Sequence, residues 1–200
     1  LAELACEIEI NKLGESIGKQ DQYISAFGGI NCFTFHKNDT VTISPLDISN
    51  KTLLELEENL LLFFTGFSRQ AGSILKDQKS KSESFDKEML SNLNHVKQMG
   101  YRTQKMLVEG RVSEYGDLLN EHWEFKKRRS KGITNDQINK WYNIGINNGA
   151  IGGKLVGAGG GGFLLFYAKD KNKLRFAMGK EGLEEVTFNF DFEGSKIINS

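Results

Sequence analysis

The sequence predicts an α+β fold, with helices on one face of a mainly antiparallel sheet, and three features predict it. Two apolar runs, Leu60–Thr65 (LLLFFT) and Phe163–Ala168 (FLLFYA), have the length of strands buried on both faces. Val186, Phe188, Phe190 and Phe192 alternate with polar residues, the period of a strand. Between the apolar runs lie long stretches with apolar residues at helical spacing.

Taken in order, Leu1, Leu4, Ala5 and Ile8 share one helical face, and Gly14 closes that helix. No capping residue precedes it, and Leu1 is not a methionine, so the sequence reads as a record with something upstream. A loop and short helix end at Gly28-Gly29; short strands follow at Asn31–Phe35 and Thr40–Ser44, joined by a turn at Asn38-Asp39. After the single proline, Pro45, a Leu/Glu-rich segment leads into Leu60. Helices are expected near Arg69–Gln78, over Phe85–Glu109 with Met89, Leu93, Val96 and Met106 inward, and over Val112–Arg129 with Tyr115, Leu118, Leu119 and Trp123 inward. Ser80–Ser84 (SKSES) reads as a polar surface loop. Thr134 and Gln137 have capping-box spacing ahead of a helix that ends at Gly149. Lys154–Val156 reads as a strand end, and Lys171–Met178 as a short helix.

Composition narrows the function. Two hundred residues with 38% apolar content suit one large domain or two small ones. Lys+Arg and Asp+Glu balance at 26 each, which argues against broad nucleic-acid binding while leaving room for a locally basic pocket. Two cysteines, Cys6 and Cys32, make no disulfide framework and fit a reducing compartment. No apolar run approaches the roughly 20 residues of a membrane helix, and no signal-peptide pattern opens the chain.

The residues that can carry chemistry are few. Gly157-Ala158-Gly159-Gly160-Gly161-Gly162 holds five glycines in six positions, more than the one or two a strand turn requires. Such a loop lets backbone N–H groups converge on an anion. It matches G-x-G-x-x-G, but a strand rather than a helix follows, which excludes a dinucleotide fold. No Gly-Lys-Ser/Thr closes it, which excludes a Walker A loop. Asp21 lies in the glycine-bounded segment Gly18-Lys19-Gln20-Asp21-Gln22, where an acid serves either as base or as a turn residue. On the residues alone, Glu7 and Glu9 read as solvated acids. His36, His95 and His122 lack metal-ligand spacing. Lys126–Arg129 (KKRR) reads as a solvated helix end favoured by the dipole, with a substrate-phosphate contact as a secondary role.

Together these stretches resemble a known arrangement. KLVGAGGGGFLLF (Lys154–Phe166) resembles the C-terminal glycine motif of the GHMP kinases, and GKQDQYISAFGG (Gly18–Gly29) the segment bearing their catalytic aspartate. The helix before it, with Glu9, resembles the one bearing their magnesium-ligand glutamate. LLLFFTGFSR (Leu60–Arg69) and EHWEFKK (Glu121–Lys127) resemble the heptose 7-phosphate kinase subgroup, and the likeness runs in order along all 200 residues. The resemblance implies that residues 1–52 are the remainder of an N-terminal domain like domain 2 of ribosomal protein S5, and that 53–200 form a ferredoxin-like C-terminal domain, with the active site between the two. It implies a cytoplasmic kinase that uses ATP and Mg²⁺ on a small sugar phosphate, at the anomeric hydroxyl of heptose 7-phosphate, with neither nucleic acid nor membrane as partner; a homodimer is compatible with it. Asp21 would take the hydroxyl proton, Glu9 would hold Mg²⁺, and Gly157, Ala158, Gly159, Gly160 and Gly161 would line the phosphate site, with Lys19 toward an anionic group of the substrate. One departure stands out: the family's P-x-x-x-G-L-G-S-S phosphate loop belongs upstream of the Glu9 helix, and these residues do not contain it. The alternatives are a fucose- or galactose-type kinase, or a non-catalytic binding module if the chain begins at Leu1.

Overall fold

A computed structural model describes residues 1–67 and 72–198, which divide into two units: Leu1–Asp47 with the chain from Asn189 onward, and Ile48–Phe188.

In the first unit, α1 (Ala2–Cys6) runs on into a π-helical stretch, Glu7–Lys12, in which the Leu13 N–H reaches back to the Ile8 carbonyl at 2.9 Å. Helix α2 (Gln20–Phe27) follows, then strands β1 (Asn31–Phe35) and β2 (Val41–Pro45) pair as an antiparallel hairpin. Ala2, Cys6 and Tyr23 form a small core with Ile10, Phe33, Val41 and Ile43 against it. The Tyr23 ring stands edge-on to Phe33 and Phe35, the geometry aromatic quadrupoles favour.

The second unit opens with α3 (Asn50–Asn59), capped by the Ser49 hydroxyl, which accepts from the Thr52 N–H at 3.1 Å. Strand β3 (Leu60–Phe64) follows without a loop; then come α4 (Gly72–Glu83), α5 (Lys87–Val108), a 3₁₀ turn (Val112–Glu114), α6 (Tyr115–Lys127) and α7 (Asp136–Asn147). Strands β4 (Ala150–Val156) and β5 (Phe163–Ala168), helix α8 (Lys171–Lys180) and strand β6 (Glu184–Val186) complete it. The sheet is antiparallel throughout, in the order β4-β5-β3-β6. Helices carry the chain from β3 to β4 and from β5 to β6, and β4–β5 is a hairpin joined by the glycine loop.

The α+β class and the shared sheet of β3, β5 and β6 agree with the sequence, and five details differ. Strand β3 alternates rather than being buried on both faces: Leu61 and Phe63 point into the core, Leu62 and Phe64 are half-buried. The strand predicted through Phe192 stops at Val186, which pairs with Leu62. Only Leu60 and Leu61 of β3 lie between that pair and the end of α3, so a longer β6 would run out of partner backbone. The chain turns instead to the first unit, where the Gly29 N–H donates to the Asp191 carbonyl at 2.6 Å. Ser80–Ser84 is not a loop, because α4 extends through Glu83; Lys81 pairs with Asp77 one turn back, and the Ser82 hydroxyl donates to the Gln78 carbonyl. Asn135, not Thr134, caps α7: its side chain accepts from the Ile138 N–H at 2.9 Å. On α5 the buried stripe is Met89, Asn92, Met99 and Met106, with Leu93 exposed. The Arg69 end of the expected fourth-helix region lies outside the described residues.

The core joins Leu61, Phe63, Leu155, Leu164 and Phe166 of the sheet to Ile138, Trp141 and Tyr142 of α7 and Leu174 and Met178 of α8. Two glycines let helices approach the sheet closely. A Cβ on Gly145 of α7 would meet the Phe166 ring at 2.6 Å. A Cβ on Gly152 of β4 would lie 1.8 Å from the Gly116 carbonyl oxygen of α6. Backbone cannot yield there as a side-chain tip can, so Gly152→Ala should destabilise the chain by about 1–3 kcal/mol or more; an unchanged denaturation midpoint would show that α6 shifts freely.

Candidate active site

The residues predicted to do chemistry fall in both units. In the first, Asp21 sits exposed in the first turn of α2, where the helix dipole favours a carboxylate. Beside it in sequence, the buried Gln22 donates from Nε2 to Oε2 of Glu9 at 2.7 Å, tying α2 to the preceding helix. Glu9 is half-buried and lies in the π-helical stretch, a local widening found often at functional sites. The other amide atom, Gln22 Oε1, is buried and accepts no hydrogen bond from a described residue. Lys19 is committed within the unit: its Nζ donates to the Asp39 carbonyl at 3.0 Å and lies 3.3 Å from Asp39 Oδ1 and 3.9 Å from Glu3 Oε2. That leaves it poorly suited to the anion-binding role expected of it. Tyr23 donates its hydroxyl to Glu3, and this bond, more than burial, pushes the phenol pKa up to about 12.

In the second unit, the Gly157–Gly162 loop is held from below. The Gly160 N–H donates to the Ile133 carbonyl at 2.8 Å, the Gly162 N–H to the Phe67 carbonyl at 2.8 Å, and the Thr65 hydroxyl donates to the Gly162 carbonyl at 2.8 Å. Glycine is required sterically at two positions: a Cβ on Gly159 would meet Ile133 Cα at 2.8 Å, and one on Gly161 the Phe67 carbonyl oxygen at 2.8 Å. Gly160 therefore has its donor spent on the fold, whereas the N–H groups of Gly157, Ala158, Gly159 and Gly161 donate to no described residue. The loop combines both sequence-level readings, a tight packing turn and a set of free amides.

Sequence reasoning gave Lys126–Arg129 only a secondary role and missed His122 and Lys154, which flank this loop with them. His122, Lys126 and Arg129 recur at i, i+4 and i+7 along and just past α6, so they share a face, and Lys154 joins them from β4. The expected solvated KKRR end is in fact divided: Lys127 pairs with Glu124 and Arg128 is exposed, while Lys126 is buried and donates to the carbonyls of Leu155, at 2.8 Å, and Gly157. Arg129 Nε donates to Asn92 Oδ1 at 3.0 Å. The His122 ring lies between the other two cations, with Lys154 Nζ 3.3 Å from Nδ1 and Arg129 Nη2 3.4 Å from Nε2.

Burial first, and then the neighbouring positive charges, lower these pKa values: His122 to about 3, Lys126 to about 7 and Lys154 to about 8. Burial also lowers that of Arg129. Among the described residues no carboxylate forms an ion pair with Lys126, Arg129 or Lys154; the nearby acids are engaged elsewhere, Asp77 with Lys81 and Ser130, Glu121 with His95 and Arg102, Glu124 with Lys127.

Among the described residues no group of three or more His, Cys, Asp or Glu side chains is placed to hold a metal, and no helix is long and apolar enough to cross a membrane. A magnesium ion held with nucleotide phosphates needs only one or two protein carboxylates, and the half-buried Glu9, oriented by Gln22, is of that kind.

Residues 104–182 match the family model for the C-terminal domain of GHMP kinases, and the chain carries that domain. It is 35% identical over 198 residues, 98% of its length, to the D-glycero-α-D-manno-heptose 7-phosphate kinase of Campylobacter jejuni, and spans 58% of that relative's length. The solved structure of a D-glycero-D-manno-heptose 1-phosphate kinase from Bacteroides thetaiotaomicron is 30% identical, covers 99% of the chain with 55% of its own, and superposes with a TM-score of 0.67. A galactokinase from Lactococcus lactis shares the fold at a TM-score of 0.73 and 16% identity, over 98% of this chain and 60% of its own.

The buried cations give stability a pH dependence of known sign. A lysine with a folded-state pKa below its unfolded value near 10.5 binds fewer protons when folded, so the folded state gains as pH rises between the two values. Stability should therefore increase from pH 7 to pH 9, and Lys154→Met should flatten that rise; denaturant titrations at several pH values that give parallel profiles for both proteins would contradict it.

Proposed function

We propose that this chain is the C-terminal part of an ATP-dependent sugar kinase that phosphorylates heptose 7-phosphate at its anomeric hydroxyl. The observation that carries this reading is the 35% identity, sustained over 98% of the chain, to a heptose 7-phosphate kinase. The order β4-β5-β3-β6, with its two helical crossovers, supports a ferredoxin-like second domain, and the first unit is then the remainder of an S5 domain 2-like domain. Retention of Asp21, Glu9 and the glycine loop favours an enzyme over a non-catalytic binding module.

In this reaction the bond between the γ-phosphorus of ATP and its bridging oxygen breaks, a bond from that phosphorus to the sugar hydroxyl oxygen forms, and the hydroxyl proton passes to the Asp21 carboxylate. ADP leaves with the bridging oxygen. Such transfers depend mainly on alignment and charge stabilisation. Asp21, exposed at the start of α2, has no competing partner among the described side chains and is open to a hydroxyl. Glu9 would supply a carboxylate oxygen to Mg²⁺, which neutralises charge on the nucleotide phosphates. The free amides at Gly157, Ala158, Gly159 and Gly161 would line the phosphate side. A cytoplasmic location accords with such chemistry.

The substrate is tested by incubating the intact gene product with ATP and a panel of sugars and locating the new phosphate by ³¹P NMR. Heptose 7-phosphate should give a 1,7-bisphosphate; preference for unphosphorylated fucose or galactose would move the assignment to that class. In the same protein Asp21→Asn preserves size and hydrogen bonding but removes the base. It should lower kcat by about 10²- to 10⁴-fold with little change in the KM for ATP. A kcat within about threefold of wild type would return Asp21 to the role of a helix-start residue.

A further inference from the structure

The face formed by His122, Lys126, Arg129 and Lys154 contains more donors than the fold can use. Lys126 is accounted for by two carbonyls. Arg129 uses its Nε on Asn92, leaving Nη2 directed at an imidazole nitrogen, and Lys154 Nζ has only the other nitrogen of that imidazole. A neutral histidine offers one acceptor and one N–H. With a donor beside each ring nitrogen, one ring N–H necessarily faces a cation instead of an acceptor. Bringing three cations together, one buried and two half-buried, without a counter-charge is costly. A single dianion would answer all three deficits, accepting from Lys154, from Arg129 and from the imidazole N–H.

The chemistry of that anion can be narrowed. ATP comes with Mg²⁺, which needs carboxylate oxygens, and this face has none among the described residues and would repel the ion. A metal-free phosphomonoester suits it: two charges and three equivalent oxygens, matched to guanidinium, ammonium and imidazole. Arg129 and Lys154 are half-buried, so the donors remain within reach of a ligand. Lys126 ties the same face to the glycine loop through the Gly157 carbonyl. Resting on the sugar-phosphate kinase reading, we infer that Lys154, Arg129 and His122, braced by Lys126, form the subsite for the phosphate the sugar already carries, distinct from the one transferred. Its role is to anchor the spectator end of the acceptor so that the hydroxyl presents itself for transfer.

The test uses Lys154→Met and Arg129→Gln in the intact gene product. Lys154→Met removes a half-buried charge without a counter-ion at nearly constant length, so its Tm should equal or exceed that of wild type, and inorganic phosphate should raise the Tm of wild type but not of the variant. Loss of a charged hydrogen bond should raise the KM for the sugar phosphate by about 10- to 100-fold, with the KM for ATP changing far less. An increase confined to the KM for ATP would overturn the inference by assigning the face to the nucleotide. So would a phosphate-induced Tm shift that survives both substitutions. If wild type phosphorylates no sugar phosphate yet still shows a phosphate shift abolished by Lys154→Met, the anion site stands and the kinase reading falls.

Discussion

The close contact between α6 and the edge strand β4 is the constraint on which the second unit depends. Gly152 lets the carbonyl of Gly116 come to a distance that no side chain on β4 would allow, and Gly116 in turn lies against Ile151 and Tyr167. With the helix pressed this near, Lys126 reaches the carbonyls of Leu155 and Gly157, and Tyr142 of α7 reaches Asn120. Strand β4 has a neighbour on one side only, and buried backbone carbonyls without donors are costly. A buried lysine that supplies two hydrogen bonds offsets part of its own desolvation while satisfying that edge. The same approach brings His122 and Arg129 up to Lys154.

The glycine loop depends on this frame as well. Its far end is fixed by Thr65 and Phe67, which follow β3, and its middle by Ile133 ahead of α7. The amides left over are therefore presented by a backbone that neighbours hold in place on three sides. Pre-organisation of this sort matters for phosphoryl transfer, where the protein contributes position and charge rather than covalent chemistry. In the first unit, the Gln22–Glu9 bond likewise fixes one acid through the residue next to the other.

Relatives and geometry bear on different parts of the functional reading. The identity to heptose phosphate kinases supports the proposed chemistry and sugar substrate, whereas the donor-rich face gives a physical reason why such a kinase would prefer a phosphorylated sugar to a neutral one. Lys19, the cation that sequence position recommends for the substrate's charge, is already engaged with Asp39 and Glu3. That shifts the weight of anion recognition to residues more than a hundred positions away in the chain.

The sequence by itself determined the α+β class, the buried strands β3 and β5, nearly every helix and the glycine loop, because each of these is written in local periodicity or in a run of one residue type. It made Asp21 and Glu9 candidates only through the family resemblance of their segments. Tertiary structure alone decided the rest. Alternation at Val186–Phe192 called for a strand, but a strand lasts only as long as its partner, and β3 begins only where α3 ends. Ser80–Ser84 looked like a loop by composition, yet ion pairing and backbone bonds carry the helix through it. Lysines and arginines in a KKRR run look alike in sequence; burial separates Lys126 and Arg129 from their neighbours, and burial is a property of what packs against a residue. Lys154 gained its meaning only when β4 met α6, since a contact across 32 positions of chain has no local signature.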